Sequence, residues 1–215
     1  MDTSLSAITF PCGTYGGEYD VVVIGGGTAG AFAGIAAADS GKKVLILERS
    51  YSLGGTATLA QVTPLMSNNL DRADNSYLTL RLKEKMMAIG AEDHPVWSRG
   101  GGWFSPVMLI YVLEQMAKEA GAEIVYGADF VSVNKTGDHI DSVCVNTVEG
   151  LQLVRAKTFI DATGDALVAC RAGCPCQTGD EQTGNNQPAS LRFAVSGVDM
   201  PALRSYLNSI GIPVR

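Results

Sequence analysis

Gly25, Gly27 and Gly30 stand in G-x-G-x-x-G spacing, and a carboxylate, Glu48, follows about 20 residues later. Glycines so placed meet three steric demands: a tight turn, close approach of backbone to a diphosphate, and close packing of a helix on a strand. The carboxylate can accept hydrogen bonds from an adenosine ribose. Thr28 and Ala29 open a helix whose positive N-terminus would face the diphosphate. The chemistry indicated is dinucleotide binding, with NAD and FAD both open on these residues alone.

Glycines at this spacing also occur in ordinary turns, so the flanking elements decide. Val21 to Ile24 form a continuous β-branched run, as in a parallel strand buried on both faces. The run from Ala29 to Ala38 is alanine-rich and favours helix, with Gly34 as a second small contact and Asp39, Ser40 and Gly41 as its stop. Val44 to Leu47 return as the next strand, which Glu48 and Arg49 close. Strand, glycine turn, helix, strand and acid occur in the order the motif requires.

Further along, Gly54 and Gly55 make a second glycine turn. Placed directly after Glu48-Arg49, Gly54, Gly55, Thr56, Ala57 and Thr58 can bring backbone amides to the cofactor. Residues 59–104 break the strand-helix rhythm and read as an inserted segment, with an amphipathic helix over Leu78 to Ile89 and a triple glycine, Gly100 to Gly102, as a hinge or a long connection. Trp103 and Phe104 could cover an aromatic ring, but beside a helix start they read first as core. Ser105 and Pro106 predict the start of a helix over Val107 to Ala120, ended by Gly121. Short strands are predicted at Glu123 to Tyr126 and Phe130 to Val133. A hairpin over Ile140 to Thr147 and Leu151 to Ala156 turns at Glu149-Gly150. Thr158 to Ile160 then lead into Asp161-Ala162-Thr163-Gly164-Asp165, an apolar strand returning to the parallel sheet with a glycine that permits close backbone approach. The expected class is α/β: a Rossmann-like parallel sheet with a small antiparallel sheet and an incomplete substrate domain. Its parts are an arm (1–18), the first part of the binding domain (19–58), the insertion (59–104), the remainder of the binding domain (105–166) and the start of a substrate domain (167–215).

At 215 residues and 46% hydrophobic, the chain can bury a sizeable core. Its net charge of −6 and isoelectric point near 4.9, with no basic cluster, argue against nucleic acid and anionic membranes as partners. The sequence contains no apolar run of transmembrane length, and residues 1–19 lack a basic and an apolar region of the export type, so the cytoplasm is the expected location. Five cysteines without an export signal favour reduced thiols. Cys170, Cys174 and Cys176 cluster, but C-x3-C-x-C lacks the usual paired ligand spacing and has no nearby histidine, so no metal is expected. Buried small hydrophobes are the expectation for this cluster, ahead of a redox thiol pair. The two histidines, His94 and His139, both read as loop residues, and neither is assigned a catalytic role.

Taken together, the glycine fingerprint ending in Glu48-Arg49, the G-G-T-A-T turn and the D-A-T-G-D segment resemble the FAD-dependent oxidoreductases of the glutathione-reductase-like group with two dinucleotide-binding domains. A broad subgroup named only as FAD-dependent oxidoreductases is similar further on, at Ala172-Gly173, Gln187 to Phe193 and Gly197-Val198-Asp199. The resemblance covers Tyr19 to about Asp199 and implies FAD as the cofactor and hydride transfer on a small organic substrate as the activity. It further implies that Gly25, Gly27, Thr28, Ala29 and Gly30 hold the diphosphate, Glu48 and Arg49 the ribose end, and Gly54 to Thr58 the diphosphate or flavin side. By the same resemblance Phe130 or Val131 gives adenine a backbone contact, and Ala162, Thr163, Gly164 and Asp165 flank the dinucleotide. Gln187 to Phe193 would begin a substrate domain. Members of this family normally run on to a final strand whose glycine and aspartate hold the ribityl chain, so a second polypeptide is expected to complete the enzyme, a shortened chain being the bland alternative. Thiazole synthases share a compact Rossmann domain with a D-A-T-G turn and would bind an NAD-derived adenylate instead. A non-catalytic nucleotide-binding subunit is the third possibility.

Overall fold

The computed structural model describes residues 10–65, 76–90 and 102–212. Its centre is β2 (Tyr19–Ile24), which pairs in parallel with β3 (Val44–Glu48) on one side and with β9 (Gly150–Asp161) on the other. Beyond β3 lies β6 (Glu123–Tyr126), also parallel. Beyond β9 lie β8 (His139–Thr147) and β7 (Asp129–Thr136), both antiparallel, giving the order β6-β3-β2-β9-β8-β7. The arm contributes β1 (Cys12–Thr14), parallel to the first half of β9.

The expected hairpin is present, but the strand that leaves it and the strand that returns to the parallel sheet are one. Gly150–Asp161 runs unbroken for 12 residues. Its first half pairs with β8 and its second half with β2, so the antiparallel strands continue the parallel sheet. No turn residue interrupts Gln152 to Ile160, and β-branched and apolar residues recur throughout that stretch. His139, expected in a loop, opens β8 with its side chain exposed, and His94 lies outside the described residues.

Both faces of the sheet are covered. Val23, Val44 and Ile46 point to one side and share a hydrophobic core with Ile35 of α1 (Thr28–Asp39), Leu82 and Met86 of α2 (Tyr77–Ala88) and Leu113 and Met116 of α3 (Pro106–Ala120), with α1 against the sheet, α3 against α1 and α2 against α3. Val22, Ile24, Leu45 and Leu47 point to the other, against Val143, Val145, Val154 and Val168. This alternation within continuous apolar runs is what a strand buried on both sides requires. Ser76 caps α2 by accepting a bond from the Leu78 N–H, and α3 ends at Gly121 in the left-handed conformation. Phe104 is core while Trp103, in β5 (Gly102–Trp103) opposite β4 (Pro64–Leu65), is exposed. Arg81 joins the three helices by bonding Asp39 of α1 at 3.0 Å and Glu119 of α3 at 2.9 Å.

After β9 come α4 (Leu167–Ala172) and a long exposed segment ending in α5 (Met200–Ser209), which has no buried residue. Cys170 and Cys176 are disulfide-bonded and exposed, and Cys174 between them is a free, exposed thiol. This corrects the expectation of buried, reduced cysteines here. Once Gly173 turns the chain out of α4 in the left-handed conformation, six residues of separation let the two ends meet with 6.2 Å between their Cα atoms.

Candidate functional site

The C-terminal ends of β2, β3 and β9 open onto a cleft of about 740 Å³, where the motif residues converge. Gly25 ends β2 at φ +99° and tucks under Ala162, whose carbonyl oxygen a β-carbon at Gly25 would strike. Gly30, one turn into α1, lies so close to the Gly25 carbonyl that a β-carbon there would overlap it. These two glycines are required by the protein's own packing.

Gly27 is different. It takes an ordinary extended conformation at the N-cap of α1 (φ −61°, ψ −172°), and a β-carbon there would meet no protein atom within 4 Å. The space beside it is the cleft. No side chain caps this end of the helix and no acid occupies its first turn, so its positive pole is left to an anionic ligand.

Glu48 is buried at the end of β3, with one carboxylate oxygen 2.6 Å from the Gly26 N–H and the other 2.7 Å from the Ser50 N–H. The carboxylate thus shapes both adjoining loops, and each oxygen keeps a lone pair for a ribose hydroxyl. The second glycine turn docks directly on the first. Gly54 donates its N–H to the Gly26 carbonyl at 2.9 Å, and the Thr28 hydroxyl donates to the Gly54 carbonyl at 2.9 Å. Thr58, buried below, donates its hydroxyl to the Leu53 carbonyl at 2.8 Å.

Gly25, Gly27, Thr28, Ala29, Glu48, Arg49, Gly55, Thr56, Phe130, Ala162, Thr163 and Gly164 line the cleft. Gly30, Gly54, Ala57 and Thr58 do not reach it and belong to the wall behind. Val131 is 40% exposed, stands at a register shift between Phe130 and Ser132, and is not among the residues that line the cleft. Asp165 is exposed and outside the lining.

Residues without an assigned role in the sequence reading complete the site. Ser50, Leu59, Ala60, Ala128, Asp129 and Leu167 add to the lining. Asp161 organises the D-A-T-G-D turn. One of its oxygens accepts from the Thr163 N–H at 3.1 Å and hydroxyl at 2.8 Å, and the other accepts from the Ala169 N–H at 2.9 Å. Partial burial works against its ionised form, but these donors, led by the Ala169 amide, hold its carboxyl below the usual range. The Thr163 hydroxyl then accepts from the Leu167 N–H at 3.0 Å and starts α4. The signal was an acid two residues before a threonine at a glycine turn, a pattern that favours side-chain bonds to nearby backbone. Among the described residues there is no cluster of histidine, cysteine or acid able to hold a metal.

A diphosphate beside Gly27, a ribose at Glu48 and an adenine toward Phe130 all fit this arrangement. Comparison with known proteins agrees with it. Over 170 residues the chain is 31% identical to a thiamine thiazole synthase of Methanococcus aeolicus, covering 71% of this chain and 58% of that protein. Over 156 residues it is 31% identical to the mitochondrial dihydrolipoyl dehydrogenase of Schizosaccharomyces pombe, covering 70% of this chain and 29% of that one. The chain therefore spans less than two thirds of either relative. The fold matches that of a myxobacterial chondrochloren halogenase, a variant of the FAD-dependent halogenases, with a TM-score of 0.56 at 17% identity over 72% of this chain and 39% of that one. The FAD dependent oxidoreductase family matches residues 20–213, nearly the whole chain. A glycine loop with an open ligand cradle, an acid at the end of the next strand and a match of this extent place the chain in the FAD dependent oxidoreductase family, whose cofactor is FAD.

Proposed function

We propose that this chain holds the adenosine diphosphate half of FAD in an enzyme that transfers hydride to or from a small organic substrate. The observation that carries this is Gly27, whose missing side chain is demanded by nothing in the protein and faces the cleft at the uncapped end of α1. In this reading the amides at the start of α1 bind the diphosphate, Glu48 accepts from the ribose, and Phe130 borders the adenine. Gly55 and Thr56 cover the diphosphate from the second turn, while Ala162 to Gly164 border it from β9. Bound flavin supplies the hydride chemistry itself. The protein's part is to orient the cofactor and shield it from water.

We further propose that a second polypeptide completes the site. Leu191, Phe193 and Val195 are 88%, 75% and 69% exposed, and α5 adds exposed Tyr206 and the adjoining Ile210. Side chains of this size clustered on one exposed segment support a covering partner. The proposed location is the cytoplasm. No helix among the described residues is long and apolar enough to cross a membrane.

The test is a visible absorption spectrum of the gel-filtered chain alone and of the chain purified from its host. Flavin bands only in the host preparation, with a second polypeptide present, are the expected outcome. Bands in the lone chain would remove the need for a partner. A colourless protein in both preparations would refute the FAD role.

A further inference from the structure

The sulfur cluster after α4 takes no part in the cleft and calls for its own account. Cys170, in the last turn of α4, is bonded to Cys176, and both are exposed. Cys174, also exposed, is a free thiol held between them by the helix end, where its N–H donates to the Ala169 carbonyl at 3.0 Å. A bond spanning so few residues constrains the unfolded chain less than one closing a long loop, so fold stability is a weak reason for it. Two basic residues stand at the end of α4. Lys135, reaching over from β7, donates to the Ala172 carbonyl at 2.5 Å, and Arg171 lies in the last turn. Cys144 offers an internal contrast: it is buried, and burial followed by the neighbouring Cys12 pushes its thiol up.

We propose that Cys170, Cys174 and Cys176 form a thiol–disulfide exchange site whose substrates are thiols and disulfides of low molecular weight. In the reducing direction a substrate thiolate, RS⁻, attacks Sγ of Cys170. The R–S–Sγ bond forms, the bond to Cys176 breaks, and its electron pair leaves on Cys176 Sγ, which takes a proton from water. A second RS⁻ attacks the substrate sulfur of this mixed disulfide and releases R–S–S–R with Cys170 as thiolate, so two electrons pass from two substrate thiols to the protein. Cys174 is the resolving thiol. Its thiolate can attack Cys170 Sγ in the mixed disulfide, form a Cys170–Cys174 bond and expel RS⁻, which prevents trapping. The oxidising direction reverses these steps, with R–S–S–R as electron acceptor.

The test is equilibration of the full chain in glutathione buffers from fully reduced to fully oxidised, followed by acid quench, alkylation and peptide mapping, with circular dichroism as a check of fold. Cys170 and Cys176 are expected to become alkylated together in reduced glutathione and protected together in oxidised glutathione, reversibly and with the fold intact. Cys174→Ser is expected to accumulate at least tenfold more glutathionyl adduct on Cys170. A pair that stays closed in reduced glutathione, or stays open in oxidised glutathione, would overturn the exchange site. Adduct levels in Cys174→Ser equal to those of the parent protein would overturn the role of Cys174.

Discussion

Replacing Gly27 by alanine separates what the ligand requires from what the fold requires. The added methyl meets no protein atom within 4 Å, and φ of −61° with ψ of −172° suits alanine. Alanine is a poorer N-cap than glycine by up to about 1 kcal/mol, and its stiffer unfolded chain returns about 0.4–1 kcal/mol. The apo-protein should therefore unfold within about 1 kcal/mol of the parent in urea. A ligand packed against Gly27 has no room for the methyl, and overpacking of this kind costs about 1–3 kcal/mol, or about 5- to 150-fold in Kd. The matched control is Gly30→Ala, whose methyl would overlap the Gly25 carbonyl. There the backbone must shift, and the loss should appear as instability of the apo-protein at the upper end of that same range of about 1–3 kcal/mol or beyond. Kd for FAD is read by flavin fluorescence titration in whichever preparation, lone chain or complex, carries the flavin. FAD affinity within twofold of the parent in Gly27→Ala, or apo instability equal to that of Gly30→Ala, would refute the argument that this glycine serves the ligand.

Three other perturbations follow from named contacts. Glu48→Gln puts an amide NH2 where one oxygen accepts from Gly26 or Ser50, so the apo-protein should lose about 1–3 kcal/mol in urea unfolding and FAD affinity should fall with it; unchanged stability would mean those bonds contribute little. Asp161 has its carboxyl held low in the folded state, so its contribution is present above the ordinary aspartate pKa of about 3.9 and is lost as pH falls through the lower folded value. Asp161→Asn should cost about 1–3 kcal/mol at neutral pH and flatten the fall in Tm below about pH 4; an acid limb identical to the parent's would refute this. Arg81→Ala removes the tie from α2 to Asp39 and Glu119, and its effect on the urea midpoint should be modest and should shrink at high salt, whereas a salt-independent loss would point to packing of the side chain instead.

The difference between Gly27 and Gly30 shows what the sequence could and could not reveal. Both are glycines of one motif, and their spacing with the strand before and the acid after sufficed to locate the turn and the helix that border the cleft. Local signals of this kind also located α3, where Ser105, Pro106 and Gly121 mark both ends. Which glycine answers to the ligand and which to the backbone depends on distances across the fold, and no local pattern contains them. The same holds for β9, read as two strands because its pairing changes partner midway while its composition does not. It holds again for the Cys170–Cys176 bond, which depends on how α4 ends.

Glu48 and Asp161 carry the argument furthest. Glu48 was visible as an acid at the end of a strand and read as ligand binding, whereas Asp161, at the end of another strand, had no role assigned. In the structure both oxygens of each accept from backbone N–H groups around the cleft, Gly26 and Ser50 for one, Thr163 and Ala169 for the other. The two acids stand at the ends of β3 and β9, on either side of β2: Glu48 ties down the glycine loop, and Asp161 ties the turn after β9 to α4, before any ligand arrives. A loop fixed in this way does not have to be ordered on binding, and the affinity otherwise spent on ordering is retained. Sequence reasoning assigns a carboxylate to the ligand because the ligand is the partner it can name; the backbone amides that hold the same carboxylate in place have no side chain to announce them.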